Sequence, residues 1–339
     1  MKTLFGLVSL ALLAQAQVTF PVTQGKVYKF EKVADGVYYA TGGAGSNNVV
    51  IINDQDVFLV DDGTTPATAR ALLTDIRLLT PKPVRTVVNT HFHYDHTDGN
   101  SVFGPEVEII GHTFVRNTIL NFDVLHREPY LSSTGALPGQ IEAMKKQVEQ
   151  ERYADKLAEL TKQLMLLDTT RGGLKEVKPT PPNVTFESKM VIYKGGREIQ
   201  LLFLGRGHTG GDTFVYLPKE KLICTGDEEE GARVAYMGDA YFDEWITTLE
   251  ELKKLDFNLV LGGHGAPFRD KTVITAFQNY LKDFVEQGTA LRKQGLSADD
   301  AAKRIDMTKH AKDFPDIKAP GAEVRGMRRL YAWLGEKEK

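Results

Sequence analysis

The chain has 339 residues, 42% of them hydrophobic and 26% charged, a balance that excludes fibrous and intrinsically disordered classes and leaves ample material for a core. Its formal charge of −3 excludes a dedicated nucleic-acid binder, which would carry a basic surplus. A single cysteine, Cys224, excludes an intrachain disulfide framework and, among apolar neighbours, reads as a buried strand position.

At the N-terminus, Lys2 precedes an apolar run over residues 4–13, and Ala14-Gln15-Ala16 supplies a small-x-small cleavage pattern. Residues 1–16 are therefore expected to be a signal peptide, cut between Ala16 and Gln17. The apolar run is too short to span a bilayer. The expectation is a periplasmic or secreted protein with no stable membrane anchor after cleavage.

Over residues 27–61 the runs VYKF, GVYYAT, NNVVIIN and VFLVDD alternate with Gly, Asn and Asp turn signals and read as short strands. A helical stretch follows at 67–79, closed by Pro81 and Pro83. The β-branched run VRTVVNT, residues 84–90, reads as a buried strand leading directly into HFHYDH. Residues 122–182 carry Ile141, Met144 and Val148, then Leu157, Leu160, Leu164 and Leu167, at helical spacing. That segment is a helical insertion, which either completes a core or covers a site.

A second β-rich half runs over residues 184–224, through VTFES, MVIYKG, REIQLLFLG, TFVYLP and KLICTGD. A helix at 243–255 and a strand at 258–261 precede further helices. Within these, SADD at 297–300 resembles a capping box, and Val324, Met327, Leu330, Tyr331 and Leu334 share one apolar face. The expected class is α/β. One domain covers residues 17–295, and a C-terminal helical extension over 296–339 packs on it.

HFHYDH places three histidines and an aspartate within six residues of a chain that has eight histidines in all. In extended backbone, residues i and i+2 point the same way, so His91 and His93 can reach one metal from one side. A turn near Tyr94 would aim Asp95 and His96 together at a second point. Partners stand in glycine-flanked contexts after apolar strands: His208 in GRGHTGGD, Asp227 in CTGD and His264 in LGGHGAP. Glycine lets the backbone crowd a metal centre. His112, His126 and His310 lie outside the pattern and read as surface or satisfied core residues.

The ordered set HxHxDH, GHT, GD and GHG resembles the metallo-β-lactamase superfamily, over about residues 27–268. The resemblance implies an αββα sandwich of two pseudo-symmetric β-rich halves meeting at a metal-bearing edge. It implies His91, His93 and His208 on one metal, and Asp95, His96 and His264 on the other, with Asp227 bridging. Asp61, in LVDDG, matches the family's aspartate that orients a ligand from behind. Asp95 would double as the catalytic residue that aligns the attacking hydroxide or takes its proton.

Imidazole and carboxylate ligands without a thiolate suit two Zn²⁺ per chain, with Fe or Mn as alternatives. Ions about 3.5–4 Å apart share a water and lower its pKa toward about 7. The implied function is an exported binuclear zinc hydrolase that opens an ester, lactone or thioester-type carbonyl in an anionic small molecule. In the metallo-β-lactamases proper the position of Asp227 is usually Cys or Ser, whereas thioesterases, lactonases and phosphodiesterases keep Asp. β-Lactam hydrolysis is the alternative within the class. A mononuclear-iron sulfur dioxygenase and a non-catalytic metal-binding protein are the alternatives outside it. Phe92, Tyr94, Tyr130, Tyr236, Met237 and Tyr241 either line a pocket or pack, Trp245 reads as core, and oligomeric state is not legible.

Overall fold

The computed structural model describes residues 19–338. The expected signal peptide and its cleavage point at Ala16 lie outside the described residues. Eight strands form the first sheet in chain order: β1 (Val22–Gln24), β2 (Lys29–Ala34), β3 (Val37–Thr41), β4 (Asn48–Ile52), β5 (Val57–Val60), β6 (Val84–Val88), β7 (Glu108–His112) and β8 (Val184–Phe186). β1 to β5 pair antiparallel, and β5 to β8 pair parallel. The second sheet holds β9 (Lys189–Lys194), β10 (Arg197–Leu202), β11 (Phe214–Leu217), β12 (Leu222–Gly226) and β13 (Leu259–Gly262), with β12 and β13 parallel and the rest antiparallel.

Strand periodicity separates the layers. In β5, Phe58 and Val60 face the second sheet and pack with Leu201, Val215, Cys224 and Leu261, while Val57 and Leu59 face outward onto Leu72 and Ile76. Leu72 and Ile76 belong to α1 (Pro66–Ile76), which starts where Thr65 accepts from Thr68 N and Pro66 occupies the first turn. On the far side, Phe214, Ile223 and Val260 of the second sheet pack against Trp245 of α6 (Phe242–Lys253), Phe277 and Phe284 of α7 (Thr272–Lys293) and Leu330 of α9 (Val324–Lys337). Helix, sheet, sheet and helix thus stack in that order, and the αββα expectation is borne out. α8 (Ala298–Arg304) starts at Ser297, whose hydroxyl accepts from Asp300 N at 3.1 Å. In α9, Met327 and Leu330 are buried as the periodicity requires, and Trp333 joins them.

One strand is in a different place from the sequence reading. The sequence places VTFES in the second β-rich half, but β8 pairs with β7, Ile110 opposite Val184, and closes the edge of the first sheet. The helical insertion is the reason: it is a crossover that returns the chain to the sheet it left. Between the short α3 (Thr113–Asn121) and β8 it forms α4 (Tyr130–Gln150) and α5 (Ala154–Gly173), packed on each other. Leu137 and Ile141 are buried at its root, yet Leu157 and Met165 are exposed. Arg70 of α1 pairs with Glu176 just beyond α5, so the far leg also leans on the sandwich. Cys224 is buried and free, as expected of a strand residue.

Candidate metal centre

The parallel strands β5, β6, β12 and β13 end at one edge of the sandwich, and the loops after them carry the polar cluster. Asn89, Thr90 and His91 continue from β6. His93 is still extended, with φ −64° and ψ 147°, and serves as the cap of a single turn, α2 (Tyr94–Thr97). That turn swings Asp95 and His96 away from the line of His91 and His93. His208 sits in the loop between β10 and β11, and His264 follows β13. A register shift in β12 between Cys224 and Gly226 ends that strand and presents Asp227.

The structure brings all seven residues together in two groups: His91, His93, His208 and Asp227, then Asp95, His96 and His264. In the first, His93 Nδ1 lies 2.9 Å from His91 Nε2 and 3.0 Å from His208 Nε2. Asp227 Oδ2 stands 3.8 Å from His91 Nε2 and 3.7 Å from His208 Nε2. Asp227 also faces the second group, with Oδ1 3.3 Å from His96 Nε2 and Oδ2 3.5 Å from His264 Nε2. Asp95 Oδ2 is 3.2 Å from His264 Nε2 and 3.7 Å from His96 Nε2. One carboxylate lies between two sets of converging donors.

The chemistry of this set fits divalent cations. His96 Nε2 and Asp227 Oδ1 are buried and 3.3 Å apart, but in a geometry that makes no hydrogen bond between them, a state that costs about 1–3 kcal/mol per group unless a ligand satisfies it. Burial, reinforced by the neighbouring rings, holds His91 below the usual imidazole range and His208 down at about 3, so both keep lone pairs available. Burial opposes ionisation of Asp95, but His96 and His264 outweigh it and hold the carboxyl at about 2. Asp227 is held low against its burial by His96 and His264 in the same way. Against their burial, Asp227 and Asp95 raise His96 well above the usual imidazole range and His264 to about 9, so an ion at the second group would displace protons from these two rings.

Behind the donors, Asp61 accepts from Thr90 N at 2.8 Å and from Thr90 Oγ1 at 2.8 Å, and its Oδ2 accepts from His96 Nδ1 at 2.8 Å. That fixes the His96 ring with Nε2 toward Asp227. Asp61 does this from a positive φ of 57°, strain held in place by its three bonds. Sequence reasoning missed two further supports. Asp239 Oδ2 lies 3.0 Å from His93 Nε2, and Glu228 Oε1 accepts from His208 N at 2.9 Å. Glu228 stands next to Asp227, a signal within reach, whereas Asp239, in the connector from β12 to α6, had none.

The remaining candidates fall in different places. Trp245 is core, as expected, but its ring also stands edge-on to His208 at 5.5 Å and its Nε1 donates to Glu228 O at 3.1 Å. Phe92 and Met237 are buried packing residues, and Tyr94 meets Tyr130 edge to face at 5.5 Å. Tyr241 carries Arg206 over its ring at 4.2 Å. His112 caps α3 and donates to Glu187 O, His310 pairs with Asp283 at 3.0 Å, and His126 pairs with Asp123 on the surface. Only Tyr236 both lines the site cavity and abuts a donor ring, 5.5 Å from His93.

That cavity, about 670 Å³, has His93, Asp95, Asp227 and His264 at its floor. Its walls come from the root of the insertion (Pro129, Ser133) and from the chain between α8 and α9 (Phe314, Ile317, Lys318). Arg233, Lys318 and Arg325 reach it. Arg325 is shared with Glu323 and Ser132, and Arg233 with Glu230 at 3.3 Å, while Lys318 has no ion-pair partner among the described residues.

Residues 41–109 match the sequence model of the metallo-beta-lactamase superfamily. A linear primary-alkylsulfatase of Pseudomonas sp. (strain ATCC 19151) is 20% identical over 300 residues, 83% of this chain and 54% of that protein, so this chain spans about half the relative's length. Among solved structures, a stereoselective inverting sec-alkylsulfatase from Pseudomonas sp. superposes with a TM-score of 0.62 at 19% identity, over 89% of this chain and 49% of that one. A metallo-β-lactamase from Erythrobacter litoralis superposes with a TM-score of 0.53 at 15% identity, over 78% of this chain and 100% of that one.

Proposed function

We infer, from a chain that carries the metallo-β-lactamase fold and resembles that superfamily in its donor motifs, that it is a binuclear metal-dependent hydrolase cleaving an ester-type bond in a small amphiphilic anion. The observation that carries this is the Asp227 carboxylate, within 3.3–3.8 Å of donors from both groups. His91, His93 and His208 would hold one ion and Asp95, His96 and His264 the other, with Asp227 between them; Zn²⁺ suits this set best. When bound, such ions make hydroxide available from water near neutral pH and neutralise charge on the departing group.

The chain's own residues do the rest. Asp95, on the cavity floor and ionised, is placed to align the attacking water and take up its proton. Arg233 and Lys318 bring positive charge to a substrate anion, and Tyr236, Phe314 and Ile317 offer apolar wall to its organic part. Two alkylsulfatases among the relatives favour a sulfate ester as the scissile group, alongside the carboxylic esters, lactones and thioesters that the ligand set alone suggested. β-Lactam cleavage is the second reading, supported by the lactamase likeness and weakened by the carboxylate at 227. The N-terminal pattern supports export to the periplasm or medium.

The test is hydrolysis by the full chain supplied with zinc, across dodecyl sulfate, a chromogenic acyl ester, a lactone, a thioester and a chromogenic cephalosporin, with Asp227→Ala as control. Turnover of the sulfate or an acyl ester that disappears in the control is the expected result. A cephalosporin rate far above the others would replace this reading with the lactamase one. Full activity in Asp227→Ala would remove the shared-carboxylate centre.

A further inference from the structure

His93 presents its two ring nitrogens to different worlds. Nδ1 lies among the donors of the first group, and Nε2 lies 3.0 Å from Asp239 Oδ2. The other oxygen of Asp239 accepts from Arg127 Nη2 at 2.7 Å. Arg127 sits just before α4, at the foot of the inserted hairpin, with its guanidinium 5.5 Å from the ring centre of Phe92 and 5.8 Å from that of Phe122. An unbroken polar chain therefore runs from the foot of the insertion to a metal-facing nitrogen. We propose that Asp239 and Arg127 are positioning residues for His93, so that docking of the insertion's foot and metal binding at the first group strengthen each other.

A neutral imidazole has one N–H, so donation from Nε2 to Asp239 leaves the lone pair on Nδ1. The carboxylate thereby selects the tautomer and sets the ring plane. A carboxylate held through one oxygen can still swing. Arg127, bonded to the second oxygen and seated against two aromatic rings, removes that freedom. The connector that carries Asp239 is also held: Arg329 Nε donates to Ala240 O at 2.9 Å, and Arg325 lies 4.7 Å over Tyr236 while its Nη1 donates to Ser132 Oγ at 2.6 Å. Both arginines come from α9, and Ser132 lies in the first turn of α4. The foot of the insertion, the connector and α9 meet at the rim of the centre. By thermodynamic reciprocity, whatever factor the docked foot adds to metal affinity, the metal adds to docking.

The proposal rests on the metal-centre reading, and the experiment separates the two. Zinc affinity is measured by competition with a chromogenic chelator, protease cleavage over residues 122–133 is timed with and without zinc, and visible spectra of the Co²⁺ form are recorded. The proteins are the wild-type chain, Arg127→Ala, Arg127→Lys and Asp239→Asn. Asp239→Asn is expected to weaken zinc about 10–100-fold and Arg127→Ala about tenfold, each with an altered cobalt spectrum, as for lost outer partners of metal-bound histidines. Zinc slows cleavage of the foot in wild type, Arg127→Ala loses that protection, and Arg127→Lys regains part of both effects. A plain structural ion pair would leave zinc untouched. Arg127→Ala binding zinc within about twofold of wild type, with an unchanged cobalt spectrum, overturns the proposal. So does zinc-independent cleavage of the wild-type foot, a readout that needs no variant to fold. A wild-type chain that binds no zinc overturns this proposal and the metal centre together.

Discussion

At Gly226 the backbone has φ +54°, and a Cβ there would stand 2.7 Å from the side chain of Thr90. Thr90 is itself tied to Asp61, and Asp61 to His96, so the clash would propagate to both sides of the centre. Gly226→Ala is expected to cost about 1–3 kcal/mol of stability and to lower zinc occupancy, read by chemical denaturation and metal analysis; an unchanged metal content would show that Asp227 is placed by something else. Asp61→Asn retains the shape but loses a charged acceptor for His96. Zinc affinity in that variant should fall by about tenfold or more, and undiminished affinity in the chelator assay would reduce Asp61 to a turn residue. His310 supplies the contrast. It and Lys309 pair with Asp283, and although burial opposes ionisation of that carboxyl, Lys309, Gln287 and His310 hold it below its ordinary value. A depressed folded pKa stabilises above the unfolded value and is lost as pH falls through the folded one. Asp283→Asn should therefore destabilise by up to about 1 kcal/mol at neutral pH, with the gap to wild type closing in acid and zinc content unchanged.

Secondary-structure elements differ in how much of their pattern the tertiary structure uses. β5 is buried on both faces with alternate residues packing in opposite layers, and α1 buries Ala69, Leu72 and Ile76 while Arg70 and Thr74 stay exposed, so the packing partners follow the periods of 2 and 3.6. The insertion shows the opposite case. Its leucines have helical spacing, yet only the root is sealed, with Ile141 fully buried and Met165 65% exposed. Periodicity reports that a helix has an apolar stripe, not how far that stripe is covered. Ile141→Ala should cost about 2–5 kcal/mol, whereas Met165→Lys should stay within about 0.5 kcal/mol; equal effects in urea titrations would contradict a hairpin sealed at its root and open beyond it. The capping motif at Ser297 was readable because it is local, and Ser297→Ala should cost about 1 kcal/mol.

For the whole molecule, the decisive feature is that four parallel strands from two sheets end at one edge, so that residues more than a hundred positions apart share a few ångströms. Bound metal would tie these loops together, which makes stability depend on it. A chelator is expected to abolish turnover and lower the thermal midpoint by several degrees, roughly the shift that 1–3 kcal/mol produces in a chain of this size. A midpoint indifferent to chelation would separate the site from the stability of the fold. Through strand and helix periods, and with the αββα layer order implied only by the resemblance of its motifs, the sequence by itself determined which segments are strands and which are helices. It also determined which residue types gather, because HFHYDH and the glycine-flanked His208, Asp227 and His264 carry their chemistry in short local spacings. Only the tertiary structure decided that β8 returns to the first sheet, that Asp239, Glu228 and Arg127 stand behind the donors, and that Phe314, Ile317 and Lys318 wall the cavity. The physical reason is range: a turn, a cap or a strand leaves its mark within a few residues, whereas a hydrogen bond across 112 or 146 positions of chain has no local signature.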